Sequence, residues 1–83
     1  MSEEYLKAQQ ALHVIKGERV LILRRAASGE NGWVNSWCMD RYVDTIGTVM
    51  CDNNEAGIKV RHIDGMYWNY PYFVLAFVER LKI

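Results

Sequence analysis

An aspartate-glycine pair, Asp64-Gly65, stands between two runs of strand-forming residues, Ile58 to Ile63 and Met66 to Tyr70. The pair predicts a two-residue hairpin turn, because both residues accept the positive φ that such a turn demands. The run before it alternates, with Ile58, Val60 and His62 on one face and Lys59 and Arg61 on the other. The run after it stops at Pro71, which cannot donate to a ladder. Pairing the residues beside this turn directly puts Arg61 opposite Trp68, in stacking reach of its indole.

Three more strands are expected around this hairpin. Glu18 to Arg25 carries Val20-Leu21-Ile22-Leu23, apolar at every position, so this first strand is expected to be covered on both faces. Ile46 to Cys51 is the second, and a polar turn from Asp52 to Gly57 leads from it into Ile58. Tyr72 to Leu75 makes a short turn, and Ala76 to Leu81 is a fifth strand with Phe77 in the core. Residues 2–16 read as an amphipathic helix with Tyr5, Ala8, Leu12 and Ile15 on one stripe. Ser2 caps its first turn, Glu3 and Glu4 suit the positive end of its dipole, Lys16 suits the negative end, and Gly17 is a left-handed stop. A helix this short is not stable alone, so the stripe must dock, and the outer face of the first strand is its expected seat.

Ala26 to about Arg41 is a long irregular stretch that holds Trp33, Trp37 and Met39, with turn signals at Ser28-Gly29 and Asn31-Gly32. One helical turn is expected from Asp40 to Val43. Short strands in meander order point to a small barrel, since closure removes exposed sheet edges. Val20, Ile22, Val49, Val60 and Phe77 are its expected centre.

The 83 residues fit one domain spanning 1–83, a helix over 1–16 and a barrel over 17–83, and nearly every apolar residue is needed for burial. Ten basic and ten acidic residues cancel to a formal net charge of zero, which predicts no general attraction to nucleic acid or membranes. No apolar run reaches the roughly 18 residues that span a bilayer, and Met1-Ser2-Glu3-Glu4 is no secretory signal. Cys38 and Cys51 are therefore expected to be reduced, buried thiols of a cytoplasmic protein.

Several segments follow one another along the chain: Gly17-Glu18-Arg19-Val20, the tryptophan-containing stretch, Ile46-Gly47-Thr48-Val49, and Ile58-Lys59-Val60 leading into Ile63-Asp64-Gly65. Trp68-Asn69-Tyr70-Pro71 followed by Leu75 completes them. In that order, from Gly17 to Glu79, the chain resembles the Src-homology-3-like small β-barrels, in particular the Mind-bomb/Herc type and related small bacteriophage proteins. The resemblance implies a mainly β fold, a five-stranded barrel to which the N-terminal helix is an addition. It implies a non-enzymatic module that binds a peptide or partner protein in an aromatic-lined groove. For a phage accessory protein the partner would be a host factor and the location the host cytoplasm.

Most of Trp33, Trp37, Tyr42, Tyr67, Trp68, Tyr70 and Tyr72 flank two loops, and with Arg61 these residues form the candidate partner-binding set. Flat apolar faces with polar tips suit peptide recognition, and filling the core is the competing use of the same side chains. Phe73 and Phe77 are expected in the core. His13, His62, Cys38 and Cys51 lack the spacing of a structural metal site, so neither metal nor cofactor is expected. Ser28 and Ser36 lack a nucleophile elbow, no cysteine–histidine pair is legible, and Asp40, Asp44, Asp52 and Asp64 fall in turns, so no catalysis is expected. Two alternatives stand beside peptide binding. One is a single-strand nucleic-acid binder that uses Arg24, Arg25, Arg41, Lys59 and Arg61 with the tryptophans. The other is a nucleotide-sequestering anti-defence protein, with a base stacked on an aromatic ring and the phosphate held by arginine. A homo-oligomer results if the helix stripe docks on a neighbour's barrel.

Overall fold

A computed structural model describes residues 2–27, 29–33 and 36–80. Ser28 and Leu81, and the side chains of Ser2 and Ser36, on which parts of the sequence reading fall, lie outside the described residues. The elements are α1 (Ser2–Ala11), β1 (Arg19–Ile22), α2 (Ser36–Met39), β2 (Ile46–Asp52), β3 (Ile58–Arg61), β4 (Tyr67–Tyr70) and β5 (Leu75–Phe77). Single 3₁₀ turns at Asp40–Tyr42, Asn54–Ala56, Tyr72–Val74 and Val78–Arg80 lie between or after them.

All five strands pair antiparallel in one sheet of order β4-β3-β2-β1-β5. The sheet is not closed. β4 and β5 are its edges, and among the described residues no ladder joins them. The five residues expected at the centre, Val20, Ile22, Val49, Val60 and Phe77, are all buried, together with Ile58, Tyr70, Val74 and Leu75. Trp33 and Met39, from the long connection between β1 and β2, complete this core.

β1 departs from the expected double cover. Its residues alternate, with Arg19 exposed, Val20 and Ile22 sealed and Leu21 half-buried, and Leu23 just beyond it is exposed. α1 does not lie over it. The helix packs instead on the Asn54–Ala56 turn and sets Tyr5 against Tyr72 and Phe73. It also ends at Ala11 rather than Lys16. The amides of Leu12 and His13 bond back three residues, to Gln9 O at 3.1 Å and Gln10 O at 3.0 Å, and His13 takes a φ of 50°. Ile15 is left 64% exposed, so the predicted stripe is cut short. The buried side of α1 centres on Gln9, whose amide nitrogen donates to Asp52 Oδ1 at 2.7 Å and to the Asn54 carbonyl at 2.9 Å. Tyr5 OH donates to the Gln9 amide oxygen and accepts from the Tyr72 backbone N–H at 3.2 Å.

The β3–β4 turn has three residues, not two. His62 N–H donates to Met66 O at 2.7 Å and Gly65 N–H to His62 O at 2.9 Å, with Gly65 at φ 89°. This is the pattern of a turn closed by a left-handed glycine. Arg61 therefore pairs with Tyr67, and Val60 with Trp68. One residue of register exchanges the faces of a strand, so Trp68 and Tyr70 turn inward and Tyr67 outward. The expected stacking of Arg61 on Trp68 is lost with that register. The inward register puts the larger apolar faces out of water.

Gly57 joins the Asn54–Ala56 turn to β3 at φ 90°, and a Cβ there would strike the carbonyls of Asn31 and Tyr70. The close approach lets residues 29–33 lie across β4, where Asn31 Nδ2 donates to Glu55 O at 3.2 Å. The two thiols form no disulfide. Cys38 is half-buried and Cys51 exposed, so neither is the sealed thiol expected. Among the described residues no helix is long and apolar enough to cross a membrane.

Candidate functional site

The predicted aromatic set separates by depth. Trp33, Tyr42 and Tyr70 belong to the interior. The Trp33 and Tyr70 ring centroids are 5.5 Å apart, Tyr70 and His62 are 5.6 Å apart, and His62 stacks on Tyr42 at 3.8 Å with 11° between planes. Polar tips lock the series: His62 Nε2 bonds Tyr70 OH at 2.7 Å, and Tyr42 OH donates to Asp64 Oδ2 at 2.8 Å. The series runs from the long connection to the β3–β4 turn and fixes one on the other.

Burial pushes the His62 pKa below its ordinary 6.5, against the smaller opposing pull of the Asp64 charge, so the ring is neutral at pH 7. Burial also raises the hydroxyls of Tyr70 and Tyr42, the latter helped by its bond to Asp64. The Met66 amide, with the Tyr42 hydroxyl second, holds the Asp64 carboxyl below its ordinary range. Sealed in this way, Trp33, Tyr42 and Tyr70 serve the fold and offer no face to a partner.

Two members lie between core and surface. Trp68 faces inward and is half-buried, its indole N–H enclosed without a hydrogen-bond partner among the described residues. Tyr72 packs against Tyr5 at 5.1 Å, so it serves the seat of α1.

Three members reach the surface. Trp37 on α2 is 90% exposed, while Met39 and Tyr42 on either side of the same helical bend are buried and anchor it. Arg61 and Tyr67 stand side by side on the outer face of the sheet as a cross-strand pair, both exposed. The Lys59 ammonium lies 4.9 Å from the Tyr67 ring centroid. No protein-family model, curated protein or solved structure matches this chain. The functional reading therefore rests on this geometry.

The basic residues grouped from the sequence do not form one surface. β2 lies between β1 and β3. Arg24 sits over Phe73 at 5.4 Å, and Arg25 pairs with Asp40 at 3.5 Å. Lys59 and Arg61 remain together on the outer face of β3, where a recess of about 400 Å³ opens between β2, β3 and the Lys16–Gly17 turn. Lys16 and Thr48 line it too, and sequence reasoning missed both. Lys16 read as the end of a helix, and nothing in the local pattern brings it to β2. Among the described residues no three histidine, cysteine, aspartate or glutamate side chains gather as metal ligands.

Proposed function

We propose that this chain is a protein-interaction module of the Src-homology-3-like kind, which captures a peptide segment of its partner with Trp37 as the anchor. The observation that carries the reading is a tryptophan 90% exposed on a helical turn whose neighbours are pinned in the core. An indole presented to water has a large apolar area to bury on binding, which is why tryptophans dominate interface energetics. The meander supports the barrel part of the reading. β5 returns beside β1, and one further pairing, β4 with β5, would close the sheet.

Selection of a random peptide library against the wild-type protein, followed by titration of the winners, tests the proposal. Trp37→Ala is expected to weaken those peptides by roughly thirtyfold, the equivalent of about 2 kcal/mol. Its unfolding free energy should stay within about 0.5 kcal/mol of wild type, as for an exposed side chain. Peptides that bind Trp37→Ala as tightly as wild type would remove the anchor and the reading with it.

A further inference from the structure

The recess on the outer face of the sheet is built differently from the rest of the surface. Lys16, Lys59 and Arg61 are among the residues that line it, and no acidic residue is. None of the three makes an ion pair among the described residues. Three acids close to these cations in the chain are engaged elsewhere. Glu18 is held by Arg80 at 2.5 Å, Asp52 accepts from Gln9 at 2.7 Å, and Asp64 accepts from Tyr42 at 2.8 Å. A chain with zero formal charge thus concentrates unpaired positive charge at one concave place.

The concavity has a local cause. The β2–β3 register shifts between Val49 and Cys51, which makes Met50 an extra residue in β2. Such a bulge bends the strand and re-aims its side chains. Met50 and Val49 supply apolar residues to the lining, and Thr48 and Cys51 line it as well. The Lys59 ammonium also lies 4.9 Å from the Tyr67 ring centroid. A planar guanidinium with two ammonium groups is the donor set that a phosphate dianion takes, the guanidinium two-pronged and the ammoniums as point charges. A recess of about 400 Å³ falls within the size range of small-molecule sites.

We propose that this recess binds a small phosphomonoester that carries one apolar or aromatic body, with Arg61, Lys59 and Lys16 on the phosphate and Met50 against the body. The site is separate from Trp37, and either can fail without the other. Nucleic-acid strands fit it less well, because the unpaired charge is confined to a pocket and does not track along a groove.

Calorimetric titration with phenyl phosphate, phenol, inorganic phosphate, adenosine monophosphate and a ten-residue oligothymidylate tests the assignment. Phenyl phosphate or adenosine monophosphate is expected to bind at least about tenfold tighter than phenol and inorganic phosphate, because only the esters use both the cations and the wall. The double variant Lys59→Gln/Arg61→Gln should lose about tenfold or more while its melting temperature stays close to that of wild type, since both residues stand on the outer face of the sheet. Bound ester should also slow alkylation of Cys51, read from its peptide by mass spectrometry. Failure of both esters to bind, equal binding by the double variant, or unchanged alkylation of Cys51 at saturating ester would overturn the proposal. Tighter binding of the oligothymidylate than of the monophosphate would overturn it in favour of a strand-binding face.

Discussion

Seven tryptophan and tyrosine residues that look alike in the sequence acquire different work from their depth. Trp33, Tyr42 and Tyr70 build the interior, while Trp37 and Tyr67 meet water. His62, between Tyr42 and Tyr70, carries a pH dependence. In the unfolded chain it titrates near 6.5, and in the fold burial depresses it. Between the two values the unfolded state holds a proton that the folded state does not, so stability falls as pH drops below about 6.5. Asp64, held below its ordinary 3.8, adds to acid loss only at lower pH. Urea midpoints taken at about pH 7.5 and about pH 5.5 should therefore fall for wild type, and fall less for His62→Gln, whatever that variant's starting stability. Equal falls would exclude His62 as the source.

Among the elements, α1 shows best how a correct assignment can carry a wrong contact. Helical spacing and the acidic first turn are legible, and the helix exists. Its seat is not legible, because it depends on Gln9, a polar residue that the apolar stripe leaves out. Three hydrogen bonds that join its buried side chain to Tyr5, Asp52 and the Asn54 carbonyl make that glutamine the centre of the contact. Gln9→Ala is expected to cost about 1 kcal/mol, since the Asn54 carbonyl loses a donor and the Tyr5 hydroxyl an acceptor at partly solvated positions. Hydrogen exchange should quicken over residues 2–11 while β2 and β3 keep their protection. Uniform acceleration through the sheet would show that α1 is instead integral to the core. β4 makes the same point for strands. The Asp64-Gly65 turn is legible, but its length is not, and one residue of length chose Tyr67 over Trp68 for the outer face.

Across the whole molecule, the exit of β5 is tied to the segment before β1 by side chains as well as by the β1–β5 ladder. The Arg80 guanidinium meets Glu18 at 2.5 and 2.9 Å and the carbonyls of Leu12 and His13 at 2.6 and 3.2 Å, and lies 4.7 Å from the Phe77 ring centroid. It joins the exit of β5 to the segment between α1 and β1. Arg80→Met should lower stability by roughly 1 kcal/mol, a value discounted because the guanidinium is partly solvated. The gap between wild type and variant should narrow in high salt, as measured by thermal unfolding. A gap independent of salt would assign the effect to the carbonyl bonds and the ring alone. By itself the sequence determined the strands, the helix start, the core centre and the alternation of β3, because these follow from periodicity and turn chemistry within a few residues of chain. Tertiary structure decided the open sheet edges, the seat of α1, the three-residue turn, and the meeting of Lys16 with Lys59 and Arg61. Each of these depends on which distant surfaces exclude water together, and that competition has no local signature.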